Sequence, residues 1–304
     1  MYRYERLLVV LRPESNNYSL ISYAGLVARM AESKTVTFLL MTFHPNIPAE
    51  IAAKHPALSG PEDEQQYTEI RRRVKQFGAE FPGVSTSLNV LRGDPEMEAL
   101  KWARKEGTDL ILLSRKPNDK TSTSRAERIT RKAPCSVLIL PEGFRPDIRN
   151  IVVPVDFSEH SADALDVAIA FASAAGLPQI HVLNVYSVPI PAYTMGERYE
   201  QLAEDFKRWA QKHYQDFVGR ANLRGVQTVP IFKHDPDTAD AIEQVVRERE
   251  MDLVVMGTRG TSLAVLLGSV TAQLIWNLEV PVVAVKKKGA TLGLLDWLFG
   301  PKGQ

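Results

Sequence analysis

Short apolar runs recur along the chain, separated by stretches too long for hairpins. Five punctuate the first half, at 7–11, 36–41, 88–91, 110–113 and 137–140, and five the second, at 151–155, 181–185, 229–232, 253–256 and 280–285. Runs of this length, bounded by polar or turn residues, read as strands buried on both faces. The stretches between them carry helical spacing. Tyr67, Ile70, Val74 and Phe77 share one face in the first half, and Tyr199, Leu202, Phe206, Trp209, His213 and Phe217 share one in the second. The pattern is β-α-β-α-β-α-β-α-β, twice. Alternation of this kind predicts α/β architecture: two tandem doubly wound domains, each a parallel five-stranded sheet with helices on both faces.

The halves align on landmarks. Arg12 matches Asp156 at an offset of 144, Asp94-Pro95 matches Asp235-Pro236 at 141, Asp109 matches Asp252 at 143, and Pro134 matches Pro281 at 147. A duplication explains the near-constant offset. Its largest jump, four residues, falls between the fourth strand and the last helix, which predicts a shorter loop there in the first half. The segment PEGFRPDIR at 141–149 has no apolar periodicity and reads as a connector. The expected division is a first domain at 1–144, a second at 145–286 and a tail at 287–304.

Composition narrows the function classes. At 304 residues and 44% hydrophobic content, each half can bury a core. With 37 basic and 36 acidic residues spread along the chain, net charge +1, no electrostatic footprint points to a nucleic acid. The apolar run at the start is too short for a signal peptide, and no run reaches the roughly 18 residues of a membrane span. The single cysteine, Cys135, leaves no intramolecular disulfide and no thiolate metal cluster. A cytoplasmic location is the expectation.

The chemistry concentrates at 252–285. The fourth strand of the second half stops at Gly257; Gly257 and Gly260 allow close backbone approach, and Gly268-Ser269-Val270-Thr271 opens a helical pattern. A helix start offers unpaired amides and the positive end of its dipole, and the Ser269 and Thr271 hydroxyls add donors, so the stretch reads as a phosphate cradle. Ligands of doubly wound sheets bind beyond the strand carboxyl ends. Asp156 stands at the second such end carrying chemistry.

These residues resemble the universal stress protein family, and the whole chain resembles its tandem members. The resemblance is carried by VPVDFSEHS at 153–161, VLNV at 182–185, HDP at 234–236, MGTRG at 256–260, GSVTAQLI at 268–275 and VPVVAV at 280–285. The family's nucleotide signature, Gly-x2-Gly-x9-Gly-Ser/Thr, is present as Gly257-x2-Gly260 and Gly268-Ser269, with seven residues in place of nine. The resemblance implies ATP, with or without Mg2+, as ligand. It puts Val155 and Asp156 against adenine with Pro154 and Met256 beside them, and Val185 in the base pocket. Gly257, Arg259 and Gly260 would lie at the ribose and phosphates, and Gly268, Ser269, Val270 and Thr271 at the phosphate tail. It also implies pairing of the two domains through their last strands, at 137–140 and 282–285, with homo-oligomers formed through other surfaces.

The first half departs at each place: Arg12 stands for Asp156, Ser114 for Gly257, Pro117 for Gly260 and Thr121-Ser122 for Gly268-Ser269. Pro117 has no N–H to offer, so the first domain reads as a nucleotide-free copy. Other residues have structural readings. Asp156 alone could cap the following helix, with Ser158 and Ser161 as competitors; Asp94 and Asp235 read as caps; His181, Trp209 and Trp276 read as core, and Cys135 as a small hydrophobe. No residue set identifies a catalytic or metal site. The tail, basic and then apolar, reads as packing on its own domain or on an oligomer mate, with anchorage to a membrane transporter or surface as the sharper alternative. The reading is therefore an ATP-binding stress-response regulator; a slow ATP hydrolase and a nucleotide-independent scaffold are the alternatives.

Overall fold

The computed structural model describes residues 3–13, 15, 17–42, 49–54, 64–188, 198–258 and 267–287. The first half contains β1 (Arg6–Leu11), α1 (Tyr18–Ala31), β2 (Thr35–Thr42), α2 (Ala49–Lys54), α3 (Glu64–Glu80), β3 (Ser85–Arg92), α4 (Pro95–Lys105), β4 (Leu110–Arg115), α5 (Lys120–Lys132) and β5 (Ser136–Pro141). The second contains β6 (Ile151–Pro154), α6 (Glu159–Ala174), β7 (Gln179–Tyr186), α7 (Arg198–Val218), β8 (Gln227–His234), α8 (Thr238–Glu248), β9 (Leu253–Gly257), α9 (Ser269–Asn277) and β10 (Val282–Val285). All ten expected strands form. The short α2 is an addition that the apolar pattern did not signal.

Within each half the strands are parallel, in the order 3-2-1-4-5 and its equivalent, and the two sets join into one sheet, β3-β2-β1-β4-β5-β10-β9-β6-β7-β8. The joint is antiparallel and pairs the last strand of each half, Val282 with Ile139, Val283 with Leu138 and Ala284 with Val137. This is the expected pairing within one chain. It satisfies the edge amides and carbonyls that each sheet would otherwise expose. Both strands are fully buried, and the core beneath the joint is continuous, with Leu138 and Leu140 in the same cluster as Ile151, Val153 and Val283.

Charged residues lock the joint reciprocally. The Arg115 guanidinium, at the end of β4, donates to the Leu278 carbonyl that closes α9. From the other half, the Lys286 ammonium donates to the carbonyls of Ala133, at 2.6 Å, and Arg131, at 3.2 Å, at the end of α5. A cation at a helix C-terminus satisfies carbonyls with no partner inside the helix and opposes the negative end of the dipole. Here each half supplies the cation for the other's last helix.

Several expectations need correction. Trp209 is 52% exposed and Trp276 37%, so neither is core. The buried stripe of α7 runs through Ala210, Tyr214 and Phe217, one step around the helix from the expected face. Trp209 instead stacks on His213 with ring centroids 3.9 Å apart, while Trp276 turns its indole N–H to Glu127 across the joint. Asp94 caps α4 as expected, but α8 is capped by Asp237; Asp235 accepts from the Asp237 amide in the turn before it. The strand registers make Ser136, two residues beyond Pro134, the first-half equivalent of Pro281. His181 is half-buried in β7.

Candidate functional site

The parallel strands of the second half end together. Strand β6 pairs with β7 and β9, so the residues following Pro154 and Gly257 emerge side by side at the strand carboxyl ends. Val155 continues the line of β6: its amide donates to the Leu183 carbonyl at 2.8 Å, and its own carbonyl accepts from the buried Asn184 side chain at 2.9 Å. Asn184 thus fixes the turn carrying Asp156, a role the apolar pattern around it concealed. Asp156 is exposed, and its carboxylate accepts from the Ser158 amide at 3.1 Å. Ser158 is the cap of α6, which decides among the three candidate caps.

Between Asp156 and Ser158 the chain reverses through Phe157 at φ 62°. A bulky residue in the left-handed region costs on the order of 1 kcal/mol and persists where its surroundings hold it. The Phe157 ring lies edge-on to Trp209 and Phe217, with centroids 6.1 and 5.6 Å away. That aromatic anchor sets where Asp156 points.

The other wall comes from β9 and α9. Met256 is buried, and Gly257 packs so close to the first turn of α6 that an added Cβ would lie 2.9 Å from the His160 carbonyl oxygen. Gly257 therefore has a structural reason to be glycine. The Gly268 amide donates to the Thr258 carbonyl at 2.8 Å, which pins together the two ends of the loop, and the Thr271 hydroxyl donates to the Gly257 carbonyl at 3.1 Å. Thr271 is thus buried and engaged, whereas Ser269 is exposed at the first helical position and Val270 is half-buried. Val185, on β7, is partly buried against the core on the α8 side of the sheet. Arg259 and Gly260, with the shortened loop, lie outside the described residues.

The start of α9 is chemically open. Helices α4, α5, α6 and α8 each have a capping carboxylate or hydroxyl, Asp94, Asp119, Ser158 and Asp237. Helix α9 has Gly268 at its cap, no side-chain hydrogen bond there and no acidic residue in its first turn. Helix α1 also lacks a side-chain cap, because Asn17 is turned back to hydrogen-bond the Arg12 backbone. At Gly268 the backbone is ordinary, φ −63° and ψ 150°, and an added Cβ would meet nothing closer than 3.6 Å. Neither strain nor packing among the described residues demands a glycine there. Uncapped amides at a helix start are donors that suit an anion such as a phosphate.

A search by family model matches the universal stress protein family twice, at residues 3–141 and 147–286. The chain belongs to that family. Among curated members, it is 32% identical over 144 residues to universal stress protein MJ0531 of Methanocaldococcus jannaschii, covering 46% of this chain and 82% of that protein. It is 30% identical over 140 residues to a universal stress protein of Thermus aquaticus, covering 45% of this chain and 98% of that one. Full-length structural likenesses include a universal stress protein from Archaeoglobus fulgidus, with a TM-score of 0.66 at 17% identity over 93% of this chain and 96% of that one. A putative universal stress protein from Pseudomonas aeruginosa gives a TM-score of 0.63 at 20% identity over 94% of each chain. These likenesses establish a tandem universal stress protein fold, and membership places the chain among stress-response proteins.

The same positions in this universal stress protein's first half are filled from within. Arg12 is buried and paired with Glu142 at 2.8 Å. The cap of α5 is Asp119, so Asp119, rather than the expected Thr121, occupies the place of Gly268. Its carboxylate accepts from the amides of Thr121 at 2.9 Å and Ser122 at 3.3 Å. Burial raises the Asp119 pKa, but those hydrogen bonds, the Ser122 hydroxyl and the Arg12 charge outweigh it and hold the carboxyl below its usual range. An internal anion thus sits on the helix start. The space left beside Arg12, Ser114 and Ser122 is a cavity of about 10 Å³, the room of one water molecule.

Proposed function

We propose that this universal stress protein is a stress-response regulator that binds one adenine nucleotide, ATP with or without Mg2+, in its second half at 145–286. Occupancy would be read through conformation or assembly. The observation that carries the reading is the start of α9, whose cap is a glycine that packing among the described residues does not require. In this reading the phosphate tail lies on the amides of Ser269 and Val270, with the Ser269 hydroxyl as a further donor, and Arg259 and Gly260 close over it. Asp156, exposed and held by Phe157 and Asn184, accepts from the adenine amino group or a ribose hydroxyl, while Pro154, Val155, Val185 and Met256 supply apolar surface for the base.

The first half, 1–144, acts as a nucleotide-free structural partner, since Asp119 already supplies the anion and Arg12 takes the place of the acceptor. Helix α9 connects the two halves: its start faces the proposed nucleotide and its end is held by Arg115. A change in the position of α9 on binding would therefore be felt at the joint.

Isothermal calorimetry of the full chain with ATP and magnesium, beside the Gly268→Asp variant, tests the reading. The expected result is one ATP per chain and loss of binding in the variant, whose carboxylate would stand where phosphate is placed. Failure of the unaltered chain to bind at millimolar ATP would overturn it and leave a nucleotide-independent regulator.

A further inference from the structure

The last described residues bring the chain out beside α6. The Arg3 guanidinium donates to the Lys286 carbonyl at 2.8 Å and pairs with Asp163 on α6 at 3.9 Å. Lys287 then stands 3.5 Å from Glu159, the first residue of that helix. Glu159 follows Phe157 closely, so the segment 288–304, which lies outside the described residues, begins next to the turn that carries Asp156 and Phe157.

Aromatic surface is exposed at that place. The Phe157 ring meets Trp209 at 6.1 Å and His213 at 6.2 Å between centroids. Trp209 is 52% exposed and stacks on His213, and the His213 Nδ1 donates to the Trp209 carbonyl at 2.9 Å, which holds the stack in place. Phe206, one turn earlier on the same side of α7, is half-buried. The three side chains of α7 together with Phe157 form a ridge whose rings are fixed yet uncovered. A contiguous patch of this kind marks a contact surface.

We propose that residues 288–304 fold back onto this ridge and cover it from within the same chain. The segment has a matching surface in Leu292, Leu294, Leu295, Trp297, Leu298 and Phe299. It also has the reach. Twelve residues lead from Lys287 to Phe299, and an extended chain of that length spans about 40 Å, more than the path through the side chains of Glu159 and Phe157 to Trp209. Attachment at the edge of the ridge gives the segment an effective concentration on the order of millimolar, which no separate molecule has without being abundant. Charge agrees as well: Asp296 is the one acidic residue of 288–304, and Lys212, exposed one turn beyond Trp209, offers it a partner. The docked segment lies against Phe157 and so braces the turn that directs Asp156.

Hydroxyl-radical footprinting of the full chain, read residue by residue by mass spectrometry, tests this. The unaltered protein is compared with the double variant Leu295→Asp and Phe299→Asp, which keeps the chain length and breaks the apolar surface. Trp209 should oxidise at least about threefold more slowly in the unaltered protein, as expected when the tethered segment is docked most of the time. Trp276 is the internal control, because α9 packs with α8 on the face of the sheet opposite α7, and it should oxidise equally in both proteins. A chain ending at Lys287, which retains every described element, should expose Trp209 as the double variant does. The protection should persist on dilution, since the contact is within one chain. Equal Trp209 rates in the unaltered and shortened chains, protection that fades on dilution and so belongs to a second copy, or equal slowing of Trp276 would each overturn the proposal. The footprint is read without nucleotide, so its outcome is separate from that of the ATP titration.

Discussion

Two glycines frame the loop that links β9 to α9, and they lack side chains for different reasons. Gly257 must make room for the first turn of α6, whose His160 carbonyl oxygen would lie 2.9 Å from an added Cβ. At Gly268 the nearest atom among the described residues would be 3.6 Å away and the backbone is one any residue adopts. Substitution separates the two roles. Gly257→Ala should lower unfolding free energy by about 1–3 kcal/mol, as overpacking against rigid backbone does. Gly268→Ala should cost at most about 1 kcal/mol, the difference between glycine and alanine at a helix cap, yet weaken nucleotide binding. Urea unfolding and ATP titration of the same two variants check both halves of this statement; a Gly268→Ala protein with unaltered affinity would remove the glycine from the proposed site. Cys135 is plain by comparison. Burial pushes its thiol up to about 12, with Lys286 opposing and Asp109 reinforcing the shift, so it behaves as the small hydrophobe its strand-flanking position suggests.

At the scale of the elements, one carboxylate bridges α4 and α5 beside the apolar cluster they share. Glu96 accepts from Arg128 at 2.5 Å and from Lys132 at 2.6 Å. Burial raises its pKa, but the hydrogen bonds and charges of Lys132 and Arg128 outweigh that and hold it below the usual carboxylate range. A carboxyl lowered in the folded state contributes stability that is fully present above its unfolded value, near 4.5, and lost as pH falls through the folded value. The urea midpoint of the wild-type protein should therefore drop from about pH 4.5 downwards, and Glu96→Gln should flatten that drop while lowering the midpoint at neutral pH. An acid limb of unchanged steepness in the variant would assign the pH dependence to other carboxylates. The helices themselves were legible from spacing, because periodicity reports which side of a helix meets the sheet. It failed for α7, where the expected face was rotated by one position. That helix covers the outermost strands, so it buries only Ala210, Tyr214 and Phe217 and leaves Trp209 at the surface.

For the molecule as a whole, the antiparallel β5–β10 joint turns two similar halves into one body. Arg115 is 4% exposed and reaches the Leu278 carbonyl in the other half. Its removal leaves a helix-end carbonyl without that donor, so Arg115→Ala should destabilise by about 1.5–3 kcal/mol, the range for a hydrogen bond to a charged group. Lys286→Ala removes the reciprocal contact, and thermal melts of the single and double variants should show whether the two locks act on one cooperative transition. Two separated transitions in the unaltered protein would contradict a single cooperative body.

The amino-acid sequence by itself determined the strands, their parallel arrangement within each half, the duplication, and the family, because these follow from apolar periodicity and from local motifs. It also marked Gly268 and Asp156, since glycine and aspartate at strand and helix ends change what the backbone can do locally. Tertiary structure alone decided what Arg12 meets. Asp119 caps α5 from the position just before it, a local contact that the sequence reading missed, whereas Glu142 lies far along the chain from Arg12 and only the fold brings the two together. The same holds for Asn184 behind Val155, for Phe157 anchored by α7, and for the cations that each half lends to the other. Local chemistry is written in neighbouring residues; contacts between distant segments exist only once the sheet has brought them together.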